Sequence, residues 1–123
     1  MTQDLFKLTL THITEEPILN WMENPEQFRD AIPTSDLDRL KGFLFDHLVD
    51  KDGGPEISNI RVDNFKFVNE TNHGSFRLHF EINRRFCCAD TCATGVDYID
   101  FQFRLENNQL IAEATYFDWT LNN

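Results

Sequence analysis

The residues predict an α+β chain, with an N-terminal strand and helices packed on a C-terminal four-stranded antiparallel meander. Three observations lead there. Apolar residues between positions 14 and 52 recur at helical spacing, those after Ile57 alternate with polar ones, and turn-forming clusters separate the alternating stretches.

Residues 5–13 set Phe6, Leu8 and Leu10 against Lys7, Thr9 and Thr11, the period of a half-buried strand. Pro17 and Pro25 each suit the first turn of a helix, where a missing amide proton leaves no bond unmade. Ile18, Trp21 and Met22 share one face of the first helical piece, and Phe28 and Ile32 point the same way in the second. Pro33 closes that region, and Thr34 or Ser35 can cap a new helix with Asp36 and Asp38 near its positive end. Leu37, Leu40, Phe43, Leu44 and Leu48 lay one apolar stripe along a helix predicted over 36–50. Asp52-Gly53-Gly54-Pro55 ends it, because glycine takes positive φ freely and proline bars continuation.

Strands are expected near 57–69, 74–86, 95–106 and 109–120. Phe76, Leu78, Phe80 and Ile82 alternate with Arg77, His79, Glu81 and Asn83, one apolar face of a hairpin whose loop is Glu70 to Gly74. The parity of Ile60 and Val62 disagrees with that of Phe65 and Phe67, which calls for a bulge near Asp63 or Asn64. A two-residue turn at Asn107-Asn108 sets the last register, pairing Leu105 with Leu110, Phe103 with Ala112, Phe101 with Ala114 and Ile99 with Tyr116 on a buried face. The opposite face then pairs Arg104 with Ile111, Gln102 with Glu113, Asp100 with Thr115, Tyr98 with Phe117 and Val96 with Trp119. The pattern over 1–123 reads as a single domain, helical over about 14–52 and a meander over about 57–121, with no internal repeat, low-complexity tract or linker.

Eleven basic residues stand against twenty-one acidic ones, a formal net charge of −10. Such a field repels phosphates and anionic membrane and draws in cationic partners, so nucleic acid and membrane are not the expected partners and a basic protein is. No apolar run reaches the roughly 18 residues of a membrane span. Met1-Thr2-Gln3-Asp4-Leu5 has no basic region ahead of an apolar core, so the chain as given reads as cytoplasmic.

Cys87, Cys88 and Cys92 lack Cys-x-x-Cys spacing, and a structural zinc site wants four ligands in two pairs. Reduced thiols in a strand-connecting loop are expected, with neither metal nor cofactor. His12, His47, His73 and His79 have no ligand spacing, and only His79 falls on a strand face turned from the core. Asp97 and Asp118 fall on one face of the last hairpin and Asp100 on the other, so no catalytic dyad is evident. What is left is an aromatic and acidic set, Tyr98, Phe117 and Trp119 with Asp100 and Glu113 at the rim, which has the composition of a protein-binding surface if a second layer does not cover it.

A strand, helical pieces and a long meander, in that order, resemble the cystatin-like and ketosteroid-isomerase-like folds, in which a curved sheet wraps a helix. The acidity, the small size and the set Tyr98, Asp100, Phe117, Asp118 and Trp119 also resemble bacterial immunity proteins that neutralise polymorphic or contact-dependent toxins. The second resemblance implies a non-enzymatic inhibitor that occludes a toxin, often a basic nuclease. A small enzyme with a pocket between sheet and helices, marked by His79, Tyr98 or Asp100, is the alternative, as is an oligomer-forming scaffold.

Overall fold

A computed structural model of the chain describes residues 5–86 and 91–116. Its elements run β1 (Phe6–Leu10), α1 (Glu15–Glu23), α2 (Pro25–Ala31), α3 (Thr34–Asp46), β2 (Glu56–Val68), β3 (His73–Phe86), β4 (Thr91–Glu106) and β5 (Gln109–Ala114). The strands form one antiparallel sheet in the order β1-β5-β4-β3-β2, and the chain is α+β. The expected four-stranded meander is extended by β1, which pairs with β5 from Phe6 opposite Ala114 to Leu10 opposite Leu110. Without β1, β5 would present an unpaired edge.

Each helix seats on the sheet through the residues its spacing predicts. Ile18 and Trp21 of α1, Phe28 of α2, and Leu40 and Leu44 of α3 are buried, joined by Ile32 and Leu48 beyond the helix ends. Met22 departs from expectation and is 40% exposed. Trp21 fixes the roll of α1 by packing edge-on against Phe28 and Phe65, at 5.0 and 5.8 Å between centroids, and Met22 is thereby turned to the margin. α3 starts at Thr34, with Pro33 in the cap position and no side-chain cap bond, and it ends at Asp46, earlier than the Gly-Gly stop. The chain from there to Gly54 is held by Arg84, whose guanidinium donates to the carbonyls of Asp50 and Asp52 at 2.7 and 2.9 Å.

Phenylalanine rings cluster on the inner face of the sheet. Phe76 lies 4.7 Å from Phe28 and 4.8 Å from Phe101 between ring centroids, and Phe65 lies 5.2 Å from Phe103. The last turn forms as expected: Asn107 and Asn108 both have positive φ, 53° and 60°, the requirement of the tight hairpin turn whose twist matches its strands. Leu105 faces Leu110 and Gln102 faces Glu113, but the β4–β5 ladder stops there and β5 ends at Ala114. Asp100 and Thr115, and Ile99 and Tyr116, are therefore outside the ladder, although Ile99 and Tyr116 are both buried. Cys87 and Cys88 lie outside the described residues. Cys92 is not in a connecting loop: its backbone is in β4 opposite Arg85, because β4 begins four residues earlier than alternation suggests.

β2 carries the expected bulge and a second one. Its pairing with β3 shifts between Asp63 and Lys66, as the change of parity demands, and also between Ser58 and Arg61. Asn64 and Asn59, one at each shift, have φ of 52° and 51°, a region that asparagine enters more readily than other side chains. The signal is a five-residue echo, Asn59-Ile60-Arg61-Val62-Asp63 then Asn64-Phe65-Lys66-Phe67-Val68, in which each Asn restores the next apolar residue to the inner face. Helix arginines reach the outer strands of the sheet. Arg29 donates to the Ile60 carbonyl at 3.2 Å, and Arg39 donates to the Lys7 carbonyl at 3.0 Å. No helix among the described residues is long and apolar enough to cross a membrane.

Gly74, at the start of β3, is fixed by its neighbours. A Cβ there would sit 2.2 Å from the Lys66 carbonyl oxygen and 2.3 Å from the tip of the Phe103 ring. The backbone oxygen cannot yield without breaking the β2–β3 ladder. Gly74→Ala is expected to cost about 1–3 kcal/mol of stability, the usual penalty for overfilling a packed site, measured as a lowered urea midpoint. An unchanged midpoint would show that Phe103 and β2 relax at no cost.

Candidate functional site

The candidate surface is the outer face of the sheet, turned from the helices, and its cross-strand rungs follow from the registers above. Asp63, Arg77 and Asp100 form one rung, and Arg61, His79 and Tyr98 the next. Alternation puts all six on this face because their neighbours Val62, Leu78 and Ile99 are buried on the other.

Arg77 organises it. Its Nε and Nη2 donate to the two carboxylate oxygens of Asp100 at 2.7 and 3.0 Å, a bidentate pair, and the same guanidinium lies 4.1 Å over the ring of Tyr98. Asp100 is exposed and Tyr98 half-buried. Arg77 is held above its ordinary pKa, first by the hydrogen bond to Asp100, against an opposing desolvation, with the charges of Asp100, Tyr98 and Asp63 adding. Being charged at every accessible pH either way, it adds no pH dependence of its own. Beside it His79 Nε2 lies 2.9 Å from Asp63, and their side chains are 34% and 53% exposed.

Glu113 faces Gln102 on one side and Lys7 on the other, with Arg104 Nη1 at 3.7 Å. Arg104 Nε also meets Glu106 at 3.0 Å. Of the five residues singled out on this surface, Tyr98, Asp100 and Glu113 share the outer face as expected. Tyr98 and Asp100 are brought together by Arg77, whereas Glu113 belongs to a separate group around Arg104. Phe117 and Trp119 lie outside the described residues. Arg77 was missed by sequence reasoning because its pairing with Asp100 depends on the β3–β4 register, which no turn signature specifies.

Three shallow cavities of 160, 240 and 180 Å³ open on this face among the described residues. All fall below the roughly 300 Å³ at which small-molecule pockets begin. Asp100 lines the first and His79 the second, and Tyr98 lines none of them. No group of three or more His, Cys, Asp or Glu that could hold a metal is present among the described residues. On the inner face, Asp97 is 4% exposed, accepts from the Tyr116 hydroxyl at 2.5 Å and from the Tyr98 amide at 2.8 Å, and so ties the chain just past β5 back to β4.

No family model, curated protein or solved structure matches this chain, so its own residues carry the functional reading.

Two outcomes are expected. In a double-mutant cycle, Arg77→Ala and Asp100→Ala should show a coupling of about 0.2–1 kcal/mol that shrinks at high salt, since the pair is largely solvated; a coupling above about 2 kcal/mol would mean the pair is structural. Tyr116→Phe removes a donor from a buried carboxylate and should cost about 1–3 kcal/mol, read by chemical denaturation, with the fold otherwise unchanged by circular dichroism.

Proposed function

We propose that this chain is an acidic binding protein that neutralises a basic protein partner by occluding it, in the manner of an immunity protein acting on a toxin nuclease. The supporting observation is how its charge is distributed. Residues 14–52, the helical layer, hold ten acidic and four basic residues and so contribute −6 of the net −10. On the outer sheet face, by contrast, Asp63, Asp100, Glu106 and Glu113 each lie within ion-pair distance of a histidine or arginine. An uncompensated field on one side of a molecule this small steers a cationic partner to that side and raises the encounter rate. Shallow cavities suit a surface that covers a partner better than one that encloses a substrate.

The test is a co-expression experiment with the toxic domain encoded beside this gene. Growth should be rescued, and the purified pair should form a complex whose association rate falls at least tenfold between low and high salt, as electrostatically steered encounters do. A metabolic operon in place of a toxin gene, or an association rate indifferent to salt, would count against this reading.

A further inference from the structure

We infer that the outward face of α1, continued into the first turn of α2, is the surface that receives the basic partner, and that it receives an aliphatic or aromatic anchor flanked by lysine or arginine. The inference rests on the reading of the chain as a binder of basic proteins and adds the place and the chemistry of contact.

Leu19 and Met22 begin the case. They stand three residues apart on α1 and are 60% and 40% exposed, while Ile18 and Trp21 of the same helix are buried. One turn before Leu19 is Glu15 and one turn after it is Glu23; Glu16 and the α2 residue Glu26 border the same surface, and all four are exposed. Residues four apart lie side by side along a helix, so the apolar pair is bracketed by carboxylates at both ends. None of the four makes an ion pair among the described residues. The nearest arginine in sequence, Arg29, is occupied by Asp30 and by the Ile60 carbonyl.

Folding alone accounts for part of this charge. Glu15, Glu16 and Glu26 lie in first turns, where a carboxylate complements the positive end of the helix. Glu23 does not. It is the last residue of α1, whose final turn has no basic residue, and there its charge opposes the negative end of the helix dipole. Two exposed apolar side chains and a carboxylate placed against the local rule are costs that the folded chain does not recover by itself. A cationic partner with an apolar anchor offsets both, since it buries Leu19 and Met22 and neutralises Glu23. Methionine suits the role because its unbranched thioether adapts to an incoming surface. The sheet face offers less of this complementarity, as Asp63, Asp100, Glu106 and Glu113 there already lie beside His79, Arg77 or Arg104.

The experiment is amide chemical-shift mapping of the full chain with two synthetic probes, a helical lysine–leucine peptide and the same peptide with every leucine replaced by serine. At low salt the lysine–leucine peptide should shift the amides of residues 15–26 and bind at least fivefold more tightly than the lysine–serine peptide. Leu19→Ser with Met22→Ser should abolish that preference and leave lysine–serine binding unchanged. Glu23→Gln should weaken lysine–leucine binding severalfold while raising the thermal midpoint, a combination that loss of structure cannot produce. Equal affinity for the two probes, or shifts centred on Arg77, Tyr98 and Asp100, would overturn the assignment of this surface and leave the basic-partner reading standing. No shift at any amide with either probe would overturn both.

Discussion

The ring of Phe76 is where the two layers of this protein meet. It is 2% exposed, stacks nearly parallel with Phe65 and Phe101 at interplanar angles of 11°, and takes Phe28 of α2 at 4.7 Å. Trp21 and Phe103 touch the same group from either side through Phe65. Removing a buried phenylalanine ring costs about 3–5 kcal/mol, whereas an exposed ion pair contributes about 0.2–1 kcal/mol. The position of the helices on the sheet therefore depends on this aromatic group and not on the charged network of the opposite face. It also sets the roll of α1, and with it the side of that helix turned to solvent.

Much of this was readable from residue order. Alternation in Phe76 to Ile82 and in Ile99 to Leu105 assigned the inner face correctly, and Asn107-Asn108 announced a turn whose geometry asparagine favours. What could not be read was set by contacts between distant parts of the chain. β1 pairs with β5, 100 to 108 residues away, and nothing within Phe6 to Leu10 names its neighbour. Met22 was assigned to the buried face because helical spacing alone cannot tell how far a helix rolls once a tryptophan beside it is seated. Arg77 escaped notice for a related reason: a side chain on an outer face is defined by its cross-strand partner, and that partner is set by register.

The two faces of the molecule treat charge differently. Across the sheet, opposite charges alternate over short distances, and Arg77 serves Asp100 and Tyr98 at once. Across the helices, acids recur with few cations among them. A surface of the first kind presents little net field to an approaching molecule, however many charged residues it holds. A surface of the second kind projects its field about a Debye length into solution, near 8 Å at physiological salt. More than half of the net charge, −6 of −10, thus lies in the helical layer.

β2 has a further consequence. It is thirteen residues long and lies at the edge of the sheet, but it pairs with β3 in three runs of three residues, parted at Asn59 and Asn64. A foreign strand adding to a sheet needs an unbroken, evenly spaced row of amides and carbonyls, and here the row changes pitch at each asparagine and loses the Ile60 carbonyl to Arg29. At the other edge β1 is five residues long and yields the Lys7 carbonyl to Arg39. Neither margin offers a regular template on which the sheet of a second copy could grow.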